Sequence, residues 1–176
     1  MKQRFYHHRM LSSLYLVPLA MLALASSANA ADSTINITGT VVASPCTAEA
    51  SKDIDLGDID ASKLATTGTT SSFVGASIAL TECPATTTSA TATFTGTAAD
   101  TDYYANTGTA KNVDVELVTS YSSTNLGNGR SMNTGIDSTS HSGTFNIKAR
   151  VRNDGKGSAV TPGSVSSAIQ VAIEYK

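Results

Sequence analysis

The sequence predicts an all-β domain, a sandwich or barrel of short strands, and three observations carry that prediction. Apolar residues recur with period two in seven separate runs, the spacing of a strand with one face buried. Clusters of Gly, Asn, Asp and Pro separate the runs, placing positive φ or a fixed proline φ where tight turns need them. No stretch keeps a helical period over about ten residues. The 40% apolar share is enough for a packed core, which excludes global disorder.

In chain order, residues 1–30 stand apart. Lys2, Arg4 and Arg9 form a positive start, 11–25 is a mostly apolar stretch, and Ala28-Asn29-Ala30 supplies a small-x-small pattern. Together these are a secretory signal peptide cleaved after Ala30, with an apolar run too short to span a bilayer. The expected division is a signal peptide at 1–30, an N-terminal extension at 31–42 and a domain at 43–176. The chain from Ala31 onward holds 146 residues, 44 of them Ser or Thr, a composition suited to pleated surfaces and turns. Nine basic residues against 14 acidic ones leave it a net charge of −5. No basic run offers an electrostatic footprint for nucleic acid.

The first alternation spans 33–42, where Ile35, Ile37, Gly39 and Val41 face away from Asn36, Thr38 and Thr40. Ile54 and Leu56 alternate with Asp53 and Asp55. The run 73–80 is more mixed, with Ile78 and Leu80 in phase. Ala90 to Phe94 alternates with Thr91 and Thr93. Val113, Val115 and Leu117 alternate with Asp114 and Glu116, and Phe145, Ile147 and Ala149 with Asn146, Lys148 and Arg150. The last run places Ile169, Val171, Ile173 and Tyr175 against Gln170, Ala172, Glu174 and Lys176. Turn clusters fall at Thr66-Thr67-Gly68, Asn106-Thr107-Gly108, Gly127-Asn128-Gly129, Asn153-Asp154-Gly155 and Pro162-Gly163.

Six of these runs follow Cys46, whereas an immunoglobulin-type sandwich uses about seven strands. The remaining run lies at the N-terminus, far from the last one, which reaches Lys176. A final core strand with no following partner leaves an open edge, and open apolar edges invite pairing with another chain. After the signal peptide the chain holds two cysteines, Cys46 and Cys83. An exported chain meets an oxidising compartment, and two cysteines allow one intramolecular disulfide.

Five segments, taken in order, resemble motifs of the chaperone–usher fimbrial subunits, the pilin family. Val41-Val42-Ala43-Ser44-Pro45-Cys46 resembles their first-strand motif, and Ile54-Asp55-Leu56-Gly57-Asp58-Ile59 their second strand. Ile78-Ala79-Leu80-Thr81-Glu82-Cys83-Pro84 is similar to their second-cysteine motif. Asn106-Thr107-Gly108-Thr109-Ala110-Lys111-Asn112-Val113 is similar to one of their turn-and-strand motifs, and Ile173-Glu174-Tyr175-Lys176 to their C-terminus. The likeness covers nearly all of 31–176 and points to the type 1 pilus group of structural subunits. Ala31-Asp32 and Tyr103-Tyr104 resemble minor adaptor subunits near a fibre tip.

The resemblance implies an incomplete immunoglobulin-like sandwich lacking its last strand, with an N-terminal donor-strand extension. It implies a structural subunit of a surface fimbria supporting cell adhesion, exported through the periplasm and using no cofactor. Its partners would be neighbouring fimbrial subunits, a periplasmic chaperone and an outer-membrane usher. The donor face would be Ser33, Ile35, Ile37, Gly39 and Val41, with Ser33 departing from the apolar residue common there. The chaperone would recognise the last strand through Ile169, Val171, Ile173 and Tyr175, and grip the carboxylate of Lys176. The residues support a donor role independently: burying Ile35, Ile37 and Val41 in a neighbour is worth about 1.5–3 kcal/mol each, and Gly39 suits a close approach. The competing reading of this segment is a frayed terminus.

No constellation amounts to a catalytic or metal site. Asp53, Asp55, Asp58 and Asp60 lack the glycine and terminal glutamate spacing of a calcium loop and read as a solvated strand and turn. His141, between Ser140 and Ser142, has no nucleophile elbow or acid to complete a hydrolase triad. Lys148, Arg150 and Arg152 form a basic ladder, either solvating the sandwich or facing acidic residues of a neighbour. A tip adhesin would need a receptor domain for which this chain has no room. A copper–zinc dismutase would need more histidines than His141, so an enzyme is not expected. A terminator subunit would lack the alternation at Ile35 to Val41. The alternatives to a repeated fimbrial subunit are a minor tip adaptor joining shaft to adhesin, or a non-fimbrial secreted β-sandwich binding module.

Overall fold

A computed structural model describes residues 35–42, 44–157 and 159–176. The expected cleavage site at Ala30 and the donor position Ser33 lie outside the described residues. The chain clusters into two compact units, Met1–Gly39 and Thr40–Lys176. In the first, the described residues 35–39 belong to no strand, and Ile35 and Ile37 are 82% and 91% exposed.

Among the described residues of the second unit, eight strands form two antiparallel sheets. They are β1 (Thr47–Ala48), β2 (Val74–Thr81), β3 (Ser89–Gly96), β4 (Tyr104–Ala105), β5 (Val113–Thr119), β6 (Ser131–Gly135), β7 (Gly143–Asn153) and β8 (Ile169–Tyr175). One sheet runs β1-β2-β7-β5-β4 and the other β6-β3-β8. β7 is the spine of the first: it aligns Phe145 with Ile78 of β2 and Val151 with Val115 of β5. In the second sheet, β3 aligns Ala92 with Ile173 and Phe94 with Val171. The period-two apolar faces of β2, β3, β5 and β7 meet between the sheets, fully burying Leu80, Phe94 and Phe145. Tyr104 is buried with them, and its hydroxyl donates to Leu126 O at 2.8 Å, which satisfies the polar end of an otherwise apolar side chain. Burial pushes that phenol up to about 12.

Five of the six expected runs after Cys46 are strands β2, β3, β5, β7 and β8. The sixth, at Ile54 and Leu56, is corrected: the segment 49–59 is assigned to no strand, although Ile54, Leu56 and Ile59 are its half-buried positions. Alternation reports which side is apolar, while a ladder also needs a hydrogen-bonded neighbour. The sequence pattern missed β1 and β4, which are two residues each, and β6, whose Ser-Met-Asn-Thr-Gly carries almost no apolar face.

The basic ladder is occupied within the chain rather than left for a neighbour. Arg150 pairs with Glu116, Lys148 and Arg150 lie 4.7 and 4.1 Å from the Phe73 ring centre, and Arg152 lies 4.0 Å from that of Tyr103. Those contacts shield the outer face of the first sheet, so β5 is buried on both faces. Asp114, placed by the alternation on a polar face, is 4% exposed. It sits in register with Ala105 and Arg152, and Lys156 Nζ lies 3.9 Å from its Oδ2, an atom with no hydrogen-bond partner among the described residues.

Burial pushes the Asp114 carboxyl above the ordinary 3.8, with Lys156 opposing. A raised folded value means stability from this group is full below the unfolded value and is lost as pH rises through the folded one. Asp114→Asn should therefore raise the melting temperature at pH 7, and the gain should vanish as pH falls to about 4. The lost pairing with Lys156, whose side chain is 58% exposed, offsets little of that gain. Paired melts at the two pH values check it; an unchanged or lowered melting temperature at pH 7 would contradict it.

Candidate functional site: an open apolar groove

β8 has one hydrogen-bonded neighbour, β3, and its other edge pairs with no strand among the described residues. Beside that edge runs a groove of about 1360 Å³. Its floor is made by core side chains including Ile78, Phe94, Val115, Leu117, Ile147 and Ala149. Ile169, Val171 and Ile173 of β8 form one wall, and Ile54, Leu56 and Ile59 of the segment 49–59 contribute to another. The inner residues of β7 are buried along its length, but those of β8 are only half-buried. Two stretches of chain thus flank a strip of core side chains, half-buried on β8 and at Ile54, Leu56 and Ile59, and the segment 49–59 lacks a ladder.

Local chemistry holds both flanks in place. Cys46 and Cys83 are disulfide-bonded with Cα atoms 4.2 Å apart, which pins the entry to β1 against the end of β2 immediately before the segment 49–59. Asp55 Oδ1 accepts from Gly57 N at 2.9 Å, and Gly57 takes φ 64°, a turn that glycine accommodates at little cost. Asp60 accepts from Ser62 N at 2.9 Å, capping the 3₁₀ turn Ala61–Leu64. Hydrogen bonding from Ser62, its hydroxyl first and its backbone N–H second, holds the Asp60 carboxyl below the ordinary carboxylate value. The four aspartates are thus an exposed groove rim and two turns.

On the opposite flank, Asn106 ties the approach to β8 onto the 106–110 turn. Its Oδ1 accepts from Gly108 N at 2.9 Å and Ser166 N at 2.8 Å, while its Nδ2 donates to Ala110 O at 2.9 Å. Ser164 N donates to Thr109 Oγ1 at 2.8 Å, and Thr109 N to Ser164 Oγ at 3.0 Å. A Cβ at Gly108 would stand 2.1 Å from Ser164 O, and one at Gly163 would stand 2.4 Å from Ala110 N, so both turns need glycine for this approach. Sequence reading found Asn106-Thr107-Gly108 and Pro162-Gly163 as turns but not as a clasp; two small-polar turns 55 positions apart carry no signal that they meet.

The C-terminus is tied to the first residues of β3. The Lys176 carbonyl oxygen accepts from Thr88 N at 2.7 Å and Ser89 N at 3.1 Å. Tyr175 is half-buried on the inner side of β8, its hydroxyl 3.5 Å from Cys46 O, and burial pushes its phenol up. Residues 35–42, the described part of the expected donor stretch, are all exposed. His141 adopts φ 49°, and its carbonyl accepts from Cys83 N at 3.0 Å, a turn role.

The sequence model of the "Fimbrial protein" family matches residues 35–176. The chain is 37% identical to the protein FimG of Escherichia coli (strain K12) over 89% of its own length and 93% of that protein. It is 34% identical to the S-fimbrial adhesin protein SfaS of Escherichia coli O6:K15:H31 (strain 536 / UPEC), over 94% of this chain and 98% of that one. Among solved structures, the P pilus rod subunit PapA aligns with a TM-score of 0.60 at 20% identity, over 81% of this chain and all of the other. A subunit of a chaperone–usher pilus aligns with a TM-score of 0.63 at 21% identity, over 82% and 96%. Those two alignments show a shared fold: two β-sheets packed as a pilin sandwich.

Proposed function

The chain belongs to the fimbrial protein family, and on that premise we propose that it joins its neighbours by strand insertion into the open groove beside β8. The chain is a structural subunit of a cell-surface fimbria and polymerises with other pilus subunits. Its family is one of structural proteins rather than enzymes. The observation that carries the insertion reading is the half-buried inner face of the final strand, with an unpaired edge above an apolar groove. The missing element is one strand, and the chain's own extension has the alternation of one.

In this reading the division at 1–30, 31–42 and 43–176 separates a leader, a donor arm and an acceptor domain. Ser33, Ile35, Ile37, Gly39 and Val41 of one subunit fill the groove of the next. Main-chain bonds along β8 then set register and direction. Before assembly a periplasmic chaperone lends a strand to the same edge, engaging Ile169, Val171, Ile173, Tyr175 and the carboxylate of Lys176, and an outer-membrane usher receives the complex. An unpaired edge beside half-buried apolar side chains is an aggregation hazard, which gives a chaperone its physical task.

Cross-linking tests the insertion. Ile37→Cys is combined in turn with Ile169→Cys, Val171→Cys and Ile173→Cys, and fibres assembled from each variant subunit alone are oxidised. At least one pair should give a ladder of disulfide-linked subunits on a non-reducing gel, and no single variant should. Assembled fibres that yield no ladder from any pair would overturn the proposal.

A further inference from the structure

The two sides of the groove's rim differ in charge. Along the segment 49–59 the inward positions are apolar, while Asp53, Asp55 and Asp58 are exposed. The lysine of this segment, Lys52, is committed to Glu49 Oε2 at 3.3 Å. On the opposite rim the outward residues of β8 are Gln170, Ala172 and Glu174. The mouth is therefore acidic on one side and carries no basic side chain at the outward positions of β8 on the other.

A strand lying in the groove buries one face and sets its other face beside these outward residues. Cross-strand neighbours have Cβ atoms about 4.5–5.5 Å apart, where opposite charges stabilise and like charges destabilise. The extension of this same chain offers only Thr34, Asn36, Thr38 and Thr40 at those positions, with Asp32 at its start. It brings no cation to an acidic rim.

Resting on the strand-insertion reading, we infer that the groove favours the extension of a different subunit, one with lysine or arginine on the solvent face of its alternating strand. A second copy of this chain is the poorer donor. The subunit then links unlike neighbours in preference to repeating itself. Because the charges sit at an exposed rim, the preference acts on encounter rate and is salt-dependent.

The test titrates three synthetic peptides into the full exported chain: the 31–42 sequence, its Asn36→Lys/Thr38→Lys form and its Asn36→Asp/Thr38→Asp form. At an ionic strength of about 0.01 M the lysine peptide should bind about three- to tenfold more tightly than the unchanged one, and the aspartate peptide more weakly. At about 1 M the three should agree within about twofold. A chain carrying Asp53→Asn, Asp55→Asn and Asp58→Asn should lose the discrimination at low salt. It should still fold, since these side chains are exposed and an amide oxygen at position 55 can still accept from Gly57 N. Equal binding of all three peptides, or a lysine advantage that survives in the triple variant, overturns the charge selection while leaving strand insertion standing. Failure of every peptide to bind overturns both.

Discussion

Serine at both Cys46 and Cys83 should destabilise the folded domain by about 2–5 kcal/mol. The cysteines are 37 positions apart, and constraining a loop of that size in the unfolded chain is worth about 4 kcal/mol in the chain-entropy account. Both sulfurs lie in the main hydrophobic cluster, with Cys46 8% and Cys83 4% exposed, so the serine hydroxyls would also be buried and add a desolvation cost. The loss of folded population should exceed that in a complete sandwich, because this one lacks the ladder and burial of one strand and starts from a smaller margin. The disulfide also anchors one end of the segment 49–59, so its loss loosens a wall of the groove. Thermal melts of the oxidised chain and of the double variant should differ by about 4–20 °C. A difference of about 2 °C or less would show that packing alone holds β1 against β2.

The fold was legible wherever one face of a strand is apolar and the other polar. β3, β7 and β8 announce themselves through Ala90-Thr91-Ala92-Thr93-Phe94, Phe145-Asn146-Ile147-Lys148-Ala149 and Ile169 to Tyr175, because burial on one side is what period two records. β1 and β4 are two residues long, below the length at which any period can be seen. β6 was illegible because its sequence is almost wholly polar or small. Asp114 was legible as part of a strand but not as buried, since its neighbours Ala105, Arg152 and Lys156 come from other segments. An unpaired edge beside Ile169 to Tyr175 was expected from the run of strands, and β8 has one paired neighbour among the described residues. The segment at Ile54 and Leu56 has the pattern of a strand without a ladder, a mismatch that strand insertion beside it would account for. The Asn106–Ser164 clasp was out of reach, because a hydrogen bond between two turns leaves no periodic trace.

Complementation of the groove by the extension is the second large effect and the most direct measure of strand insertion. Seating Ile35, Ile37 and Val41, which are 82–100% exposed in the free chain, contributes about 1.5–3 kcal/mol for each side chain against an already apolar floor. A ligand that binds only the folded state raises its stability by about 2.7 kcal/mol at a hundredfold excess over Kd and about 4.1 kcal/mol at a thousandfold excess. The measurement is the melting temperature of the full exported chain against rising concentrations of a peptide spanning 31–42. Beside it runs the same peptide carrying Ile37→Asp, which would bring a charge into the groove and should be inert. The melting temperature should climb with the first peptide and stay put with the second. No rise at saturating peptide, or an equal rise from the Ile37→Asp form, would contradict strand insertion as the way this subunit joins its neighbour.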